Sequence, residues 1–551
     1  QAWNGELPGT LPYVCGVGEA PTAIVVLGRW LWVTSWGDHC IDRYELVPRG
    51  ASYGAKRETI VQGDADFRPT GMAVAPDGSL YFGDWVLKDY PVHGHGRIWR
   101  LVVPADERDA KFPARSPQDL AACKLGDAPP NAAAESKDLF VVANAVRGLA
   151  KDKNLEKQVA EWGGNAAGSD AVRLAQLEGL RLRGIDDPQK ALKAALHDKS
   201  PDVRLFAVRW IADERIEALR EDLNKLLEGP PPSRRYYMTL LGVIDWLSHE
   251  PKMTGTEIGG ELLVRELQNE KRSPETHALA LSLLNANNEL LSLDRLRDYL
   301  KSAHVPLRIE AMRSLSQQAS PERFSLLAEV ADNTSQPDEV RVEAVVGLAA
   351  AAADHRELLE HLADGDRPTL RDEARRSLRL AGLRPGPSET KPPATDVAAW
   401  QKLLAKGGNP AAGRRMFYNP VGARCYMCHS YAGRGGIVGP ELTNIGGSTP
   451  RDKIVASIIQ PSLEIAPDYQ PWSLVTDEGK VYTGLRLPQP GDDGKERYVD
   501  SAAKTFVLSS ESIAERHLAT TSIMPENLQA LLSIQDLRDL VSFLATKHAV
   551  K

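Results

Sequence analysis

Cysteine is scarce in this chain, with 5 in 551 residues, which excludes a small fold stapled by disulfides. Once Cys425 and Cys428 are set aside as a pair, Cys15, Cys40 and Cys123 remain, an odd set that admits at most one bridge. No apolar run approaches the roughly 20 residues that cross a bilayer, so no transmembrane segment is expected. Basic charge is not in excess: the net charge is -7, and nucleic acid is not an expected partner. The opening stretch QAWNGELPGT has neither a charged nor an apolar run, and no export signal is visible in it. Either such a signal has been removed, or the protein is cytosolic, or the chain begins partway through a longer product.

Apolar residues make up 42% and charged residues 26%, the balance of an ordinary soluble protein, and 551 residues exceed one hydrophobic core. Residues 1–103 read as short strands and turns: TAIVV, WLWVTSW, IDRYELV, GMAVAPDGSLYFGDW and GRIWRLVV, with a turn at Pro76-Asp77-Gly78. Repeated hairpins ending in Asp-Trp or Gly-Asp suggest a partial β-propeller, with room for about two blades where closure takes about four. Residues 104–136 turn to proline, alanine and charge and read as a linker or wrapped connection.

Residues 137–384 carry a repeat. SPDVRLFAVRWI, HVPLRIEAMRSL, QPDEVRVEAVVGL and RPTLRDEARRSL each place a proline at a helix start, then an arginine, an alanine three later and an aliphatic residue four after that. Weaker copies begin near Ser169, Pro232 and Pro274, so the spacing is about 30 to 40 residues, that of two-helix solenoid repeats. Proline at the first helical position is preorganised, and the alanine permits close helix approach. The pattern resembles HEAT repeats; an ordinary helical bundle is the plainer alternative. The proline- and glycine-rich stretch at 385–396 marks a linker, and 397–551 form a last domain.

That domain contains VGARCYMCHS, in which Cys425 and Cys428 are followed at once by His429. Two thiols at this spacing on a tight turn can add to both vinyl groups of one haem, and the next histidine can reach its iron. A zinc site would want a second Cys or His pair at ligand spacing, and no cysteine follows Cys428. A redox dithiol would want a strand-to-helix setting, whereas this motif follows a helix and precedes glycines. Asn409-Pro410 predicts a short helix before the motif, and Ser533 with Asp536 predicts a capping box on a closing helix with Leu537, Leu540, Val541 and Leu544 on its apolar face. This is the plan of a mainly α cytochrome c domain.

The second axial ligand is expected to be Met524, in the Met-Pro loop of TSIMPENL, with His517 as runner-up; core filling is the plain role for any methionine. His/Met ligation leaves no open coordination site, which points to electron transfer rather than oxygen binding. The carbonyl of Pro440, in GIVGPELTNIGG, is the expected acceptor for the His429 ring N–H. Within the domain, PWSLVT, VYTGLRL, RYVD and TFVL predict a β insertion at about 465–515 whose role the residues do not show.

GRRMF, CYMCH, GIVGPELTNIGG and IMPENL, in this order, resemble the haem-binding C-terminal domain of large secreted planctomycete and verrucomicrobial proteins. In that family the domain follows HEAT-like repeats and a propeller similar to soluble quinoprotein sugar dehydrogenases; DFRPTGMAVAPDGSLYFGDW and YPVHGHGRIWRL look like closing blades. The resemblance implies one covalent haem c on Cys425, Cys428, His429 and Met524, export to the periplasm or cell surface, and electron donor and acceptor proteins. It also implies an alternative, the C-terminal part of a dehydrogenase using pyrroloquinoline quinone and calcium to oxidise sugars or alcohols, for which catalytic residues remain unknown. His39, His93, His95, Arg68 and Asp84 are the polar candidates in the first region, each read first as structural, with His93 and His95 a weak metal pair. A third reading is a solenoid scaffold that binds a protein partner and carries a structural haem.

Overall fold

The computed structural model describes residues 10–18, 20–87, 94–162, 168–231, 233–248, 260–466, 469–487 and 494–546. The chain is multidomain, with many helices and several small antiparallel sheets, and it divides into two compact units, Gln1–Asp222 and Leu223–Lys551. The division runs through the Arg220–Leu226 helix rather than either proline-rich stretch. Among the described residues no helix is long and apolar enough to cross a membrane.

In the first unit, β1 (Pro21–Leu27), β2 (Trp30–Ser35), β3 (Cys40–Arg49) and β4 (Ser52–Gln62) form an antiparallel meander in that order. β5 (Pro69–Val74), β6 (Leu80–Asp84) and β7 (Arg97–Leu101) form a second sheet, and no closed propeller or barrel is formed by the described residues. Trp30, Trp32, Ile41, Phe67, Leu80 and Phe82 bury a shared core. The Pro76-Asp77-Gly78 turn is closed by Ala75 and Ser79, and Gly78 takes φ +78°, a left-handed value that glycine adopts without strain.

Residues 104–136 contain short helices at Ala105–Arg108, Pro117–Leu125 and Pro130–Ala133, the second capped by Ser116 and Asp119. They are fastened to the sheets by Arg43 to Glu107 at 2.6 Å and by Arg115 to the Gly50 carbonyl at 2.5 Å. A wrapped connection describes this segment better than a free linker. The remainder of the unit stacks the Leu139–Leu149, Asp170–Arg183 and Pro201–Asp213 helices.

In the second unit the helices Pro274–Leu283, Val305–Gln317, Asp338–Leu348 and Pro368–Leu380 stack in succession, with Arg323–Asp332 and Arg356–Ala363 each packed against the helix that follows it. The repeated alanines Ala311, Ala344 and Ala374 are fully buried, as are Leu315, Leu348 and Leu378 four residues on. This is the continuous core that the spacing requires. The weak copy near Pro232 begins outside the described residues, and the Arg234–Ser248 helix follows it.

The last domain closes on two crossing helices. Pro410–Phe417, capped by Asn409, crosses Ile534–Leu544, whose Ser533 and Asp536 form the reciprocal cap. Gly413 lies against the Asp539 carbonyl, where any side chain would collide with backbone, so glycine sets the closeness of the crossing. The insertion is one antiparallel sheet in the order β13-β12-β11-β10-β14, built from β10 (Trp472–Thr476), β11 (Val481–Arg486), β12 (Lys495–Val499), β13 (Thr505–Ser509) and β14 (Ile513–Leu518). A two-stranded hairpin, β8 (Ser430–Tyr431) and β9 (Arg434–Gly435), follows the motif directly.

The helical stack and this domain meet through buried charge. Arg376 reaches Asp536 at 2.8 Å, Glu373 at 2.7 Å and Asp539 at 3.1 Å, and Arg415 also reaches Glu373 at 2.7 Å. Nearer the motif, Arg313 and Arg434 both engage Glu310. The segment 385–396, expected as a free linker, is tied down as well: Glu389 accepts the N–H of Ile534 at 2.8 Å.

Candidate functional site

Cys425–Met427 form one turn of 3-10 helix, entered through Arg424 in the left-handed region at φ +45°. The His429 N–H donates to the Cys425 carbonyl at 3.0 Å, so the turn delivers both cysteines and the histidine to one side of the chain. The loop then folds back: Gly436 donates to the Tyr426 carbonyl and Gly439 to the Cys428 carbonyl, each at 2.8 Å. This return brings Pro440 under the imidazole, and His429 Nδ1–H donates to its carbonyl at 2.9 Å. Nε2 is thereby left as the ring's lone-pair nitrogen, and it has no hydrogen-bond partner among the described residues.

Cys425, Cys428, His429, Pro440 and Met524 line one cavity of about 350 Å³. Its walls are otherwise mostly apolar: Phe417, Val438, Ile454, Ile458, Leu528, Leu540 and Leu544 come from five separate segments. Burial pushes the Cys425 thiol up to about 12 and raises Cys428 too, against a weaker pull from Arg424. Both sulfurs therefore stay S–H near neutral pH in the absence of a bound group. Burial lowers the His429 pKa and so favours the neutral imidazole, and the Pro440 bond only partly opposes it.

Met524 stands in the loop after β14, its N–H bonded to Ser522 Oγ at 3.1 Å. His517 is elsewhere. It lies on β14 with its side chain 67% exposed, 3.2 Å from Glu515, and does not line the cavity, so the runner-up ligand is set aside. β14 is exposed from Ala514 to Leu518, so a histidine there faces solvent.

The fit to a haem is chemical. Two unpaired thiols, a neutral imidazole with a free nitrogen and a thioether border the same apolar space. Among the described residues, no three His, Cys, Asp or Glu side chains converge as a closed metal site would require.

Sequence reasoning missed Gly439. A Cβ there would lie 2.5 Å from His429 Cε1 and 3.0 Å from Nε2, so only glycine lets the chain pass beneath the ring. The Gly-Pro pair preceding the predicted acceptor was the available signal. It also missed the cover that the insertion supplies: Tyr469 and the turn Ser501, Ala502 and Ala503 line the cavity, and Val499 and Leu485 bury Val438 beside Cys428.

Among the described residues the polar candidates of the first unit make structural contacts, and Arg68 and Asp84 meet through a backbone bond. Asp84 is buried and accepts from Arg97, Trp99 and the N–H groups of Arg68 and Val86, a full structural complement. Arg68 stacks 4.4 Å over Trp36, and His39 Nδ1 donates to the Phe67 carbonyl at 3.0 Å. His95 is exposed, and His93 lies outside the described residues. Comparison of the chain with protein-family models and with curated proteins returns no match.

Proposed function

We propose that this protein is a c-type cytochrome that transfers electrons through one covalently held haem, as the acceptor module of a dehydrogenase system outside the cytoplasm. The observation that carries the reading is the convergence of Cys425, Cys428, His429 and Met524 on one apolar cavity, with the His429 ring already oriented by Pro440. A bound haem supplies a one-electron iron couple. Cys425 and Cys428 would hold it through two thioether bonds, each S–H adding across one vinyl group. His429 Nε2 and the Met524 sulfur would be the donors to its iron, with the Pro440 carbonyl fixing the imidazole and making it a stronger donor. Val438, Ile454 and Leu540 exclude water, which favours the less charged reduced state.

We read the helical stack as HEAT-like and the two N-terminal sheets as propeller-type blades, in keeping with the resemblance to large secreted haem-domain proteins. Electron donor and acceptor proteins are the partners. The test is a visible spectrum, oxidised and dithionite-reduced, after co-production with an export signal and the haem-attachment machinery. Haem that resists acid-acetone extraction supports the reading; extractable haem or none sinks it.

A further inference from the structure

The hairpin β8–β9 begins at the residue after His429 and ends just before the loop that carries Gly436, Gly439 and Pro440. The Pro440 bond to the imidazole and the two glycine bonds of the return loop therefore depend on where this hairpin sits. Its own ladder is four residues long, too short to hold a position in water without support. The support comes from the helical stack. Arg434 is buried, and its guanidinium donates to Glu310 Oε2 at 2.9 Å, to the Leu281 carbonyl at 3.1 Å and to Ser314 Oγ at 3.4 Å. Arg234 donates to the Ala432 carbonyl at the hairpin tip. From below, the Tyr418 hydroxyl lies 2.8 Å from the Tyr431 carbonyl and 3.2 Å from that of Arg434.

We propose that Arg434 is a positioning residue for His429: by clamping the β8–β9 hairpin to Glu310 and Leu281 of the helical stack, it fixes the loop that bonds the imidazole to Pro440. The axial ligand is thus set by the repeats as well as by its own domain. An arginine suits this place because its planar fork serves three acceptors from one buried position, where lysine would present a point charge. The clamp concerns the loop itself, and its meaning for iron ligation rests on the haem reading above.

Hydrogen exchange on the full-length chain tests it without reference to any bound group. In Arg434→Met, the Gly436 and Gly439 amides should exchange at least about tenfold faster, as expected when a bond net loses its anchor. Arg379→Met serves as control, because Arg379 crosses the same interface to Asp536, away from the hairpin, and should leave these two amides unchanged. Equal acceleration in both variants, or in neither, overturns the proposal. In haem-loaded protein, Arg434→Met should raise the reduction potential, since a loosened Pro440 bond makes the imidazole a poorer donor, and Arg434→Lys should fall between it and the parent. An unchanged potential with intact exchange overturns the clamp. Absence of covalent haem would instead count against the cytochrome reading and leave the exchange result standing.

Discussion

The two ligand-bearing borders of the cavity are built differently. His429 is set by backbone: its own N–H, those of Gly436 and Gly439 and the Pro440 carbonyl form a closed net that no side-chain change removes directly. Met524 is set by side chains. Ser522 Oγ accepts its N–H, Ser462 Oγ accepts the N–H of Ser522 at 3.1 Å, and Glu526 accepts from Ser462. Backbone nets tolerate substitution and dislike movement, while a chain of half-buried hydroxyls can be dismantled one atom at a time. Under the proposed function the histidine should therefore be the permanent donor and the methionine the replaceable one.

Breaking the buried charge between the helical stack and the last domain should have the largest effect. Asp536→Asn removes the carboxylate that Arg379 engages and one of the three that Arg376 engages, and loss of one partner from a buried pair costs about 3–5 kcal/mol. Burial alone would raise the Asp536 pKa, but Arg376, Arg379 and Ser533 together hold it below its ordinary value. Its contribution is accordingly full above about pH 3.9 and lost as pH falls through the lower folded value. Denaturant melts should show parent and Asp536→Asn converging in that acid window; a constant gap would refute the assignment.

Leu540→Ala opens the cavity floor and should cost about 2–5 kcal/mol, checked by the urea midpoint. Gly439→Ala strikes the histidine border alone. The added methyl must displace the imidazole, at about 1–3 kcal/mol, and the Pro440-bonded ring proton should shift in the NMR spectrum while the Met524 loop stays as it was. The smallest effect is expected from Ser522→Ala, about 1 kcal/mol, with easier displacement of the methionine by added imidazole in haem-loaded protein. If Gly439→Ala and Ser522→Ala were equally mild toward imidazole, the contrast between the borders would fail.

The elements of the site were legible because each rests on a local pattern: the Asn409 cap, the reciprocal cap at Ser533, the motif turn and the buried alanines of the repeats. What could not be read was long-range or disguised. β4 contains Lys56-Arg57-Glu58, which hides its alternation, yet it pairs along β3 for nearly its whole length. Arg434 and Glu310 are 124 residues apart, and each looks like a solvated surface charge until the helical stack and the last domain are placed together. The short helices of 105–133 draw their support from Arg43 and Gly50, far away in sequence, rather than from their own apolar content.

β14 lies at one edge of the five-stranded sheet, and its exposed residues Glu515, Arg516 and His517 run along that edge. An open strand edge invites another chain to add to it, and adjacent charges of both signs make such an addition unfavourable. An edge strand built this way guards against sheet-to-sheet association between copies of the chain.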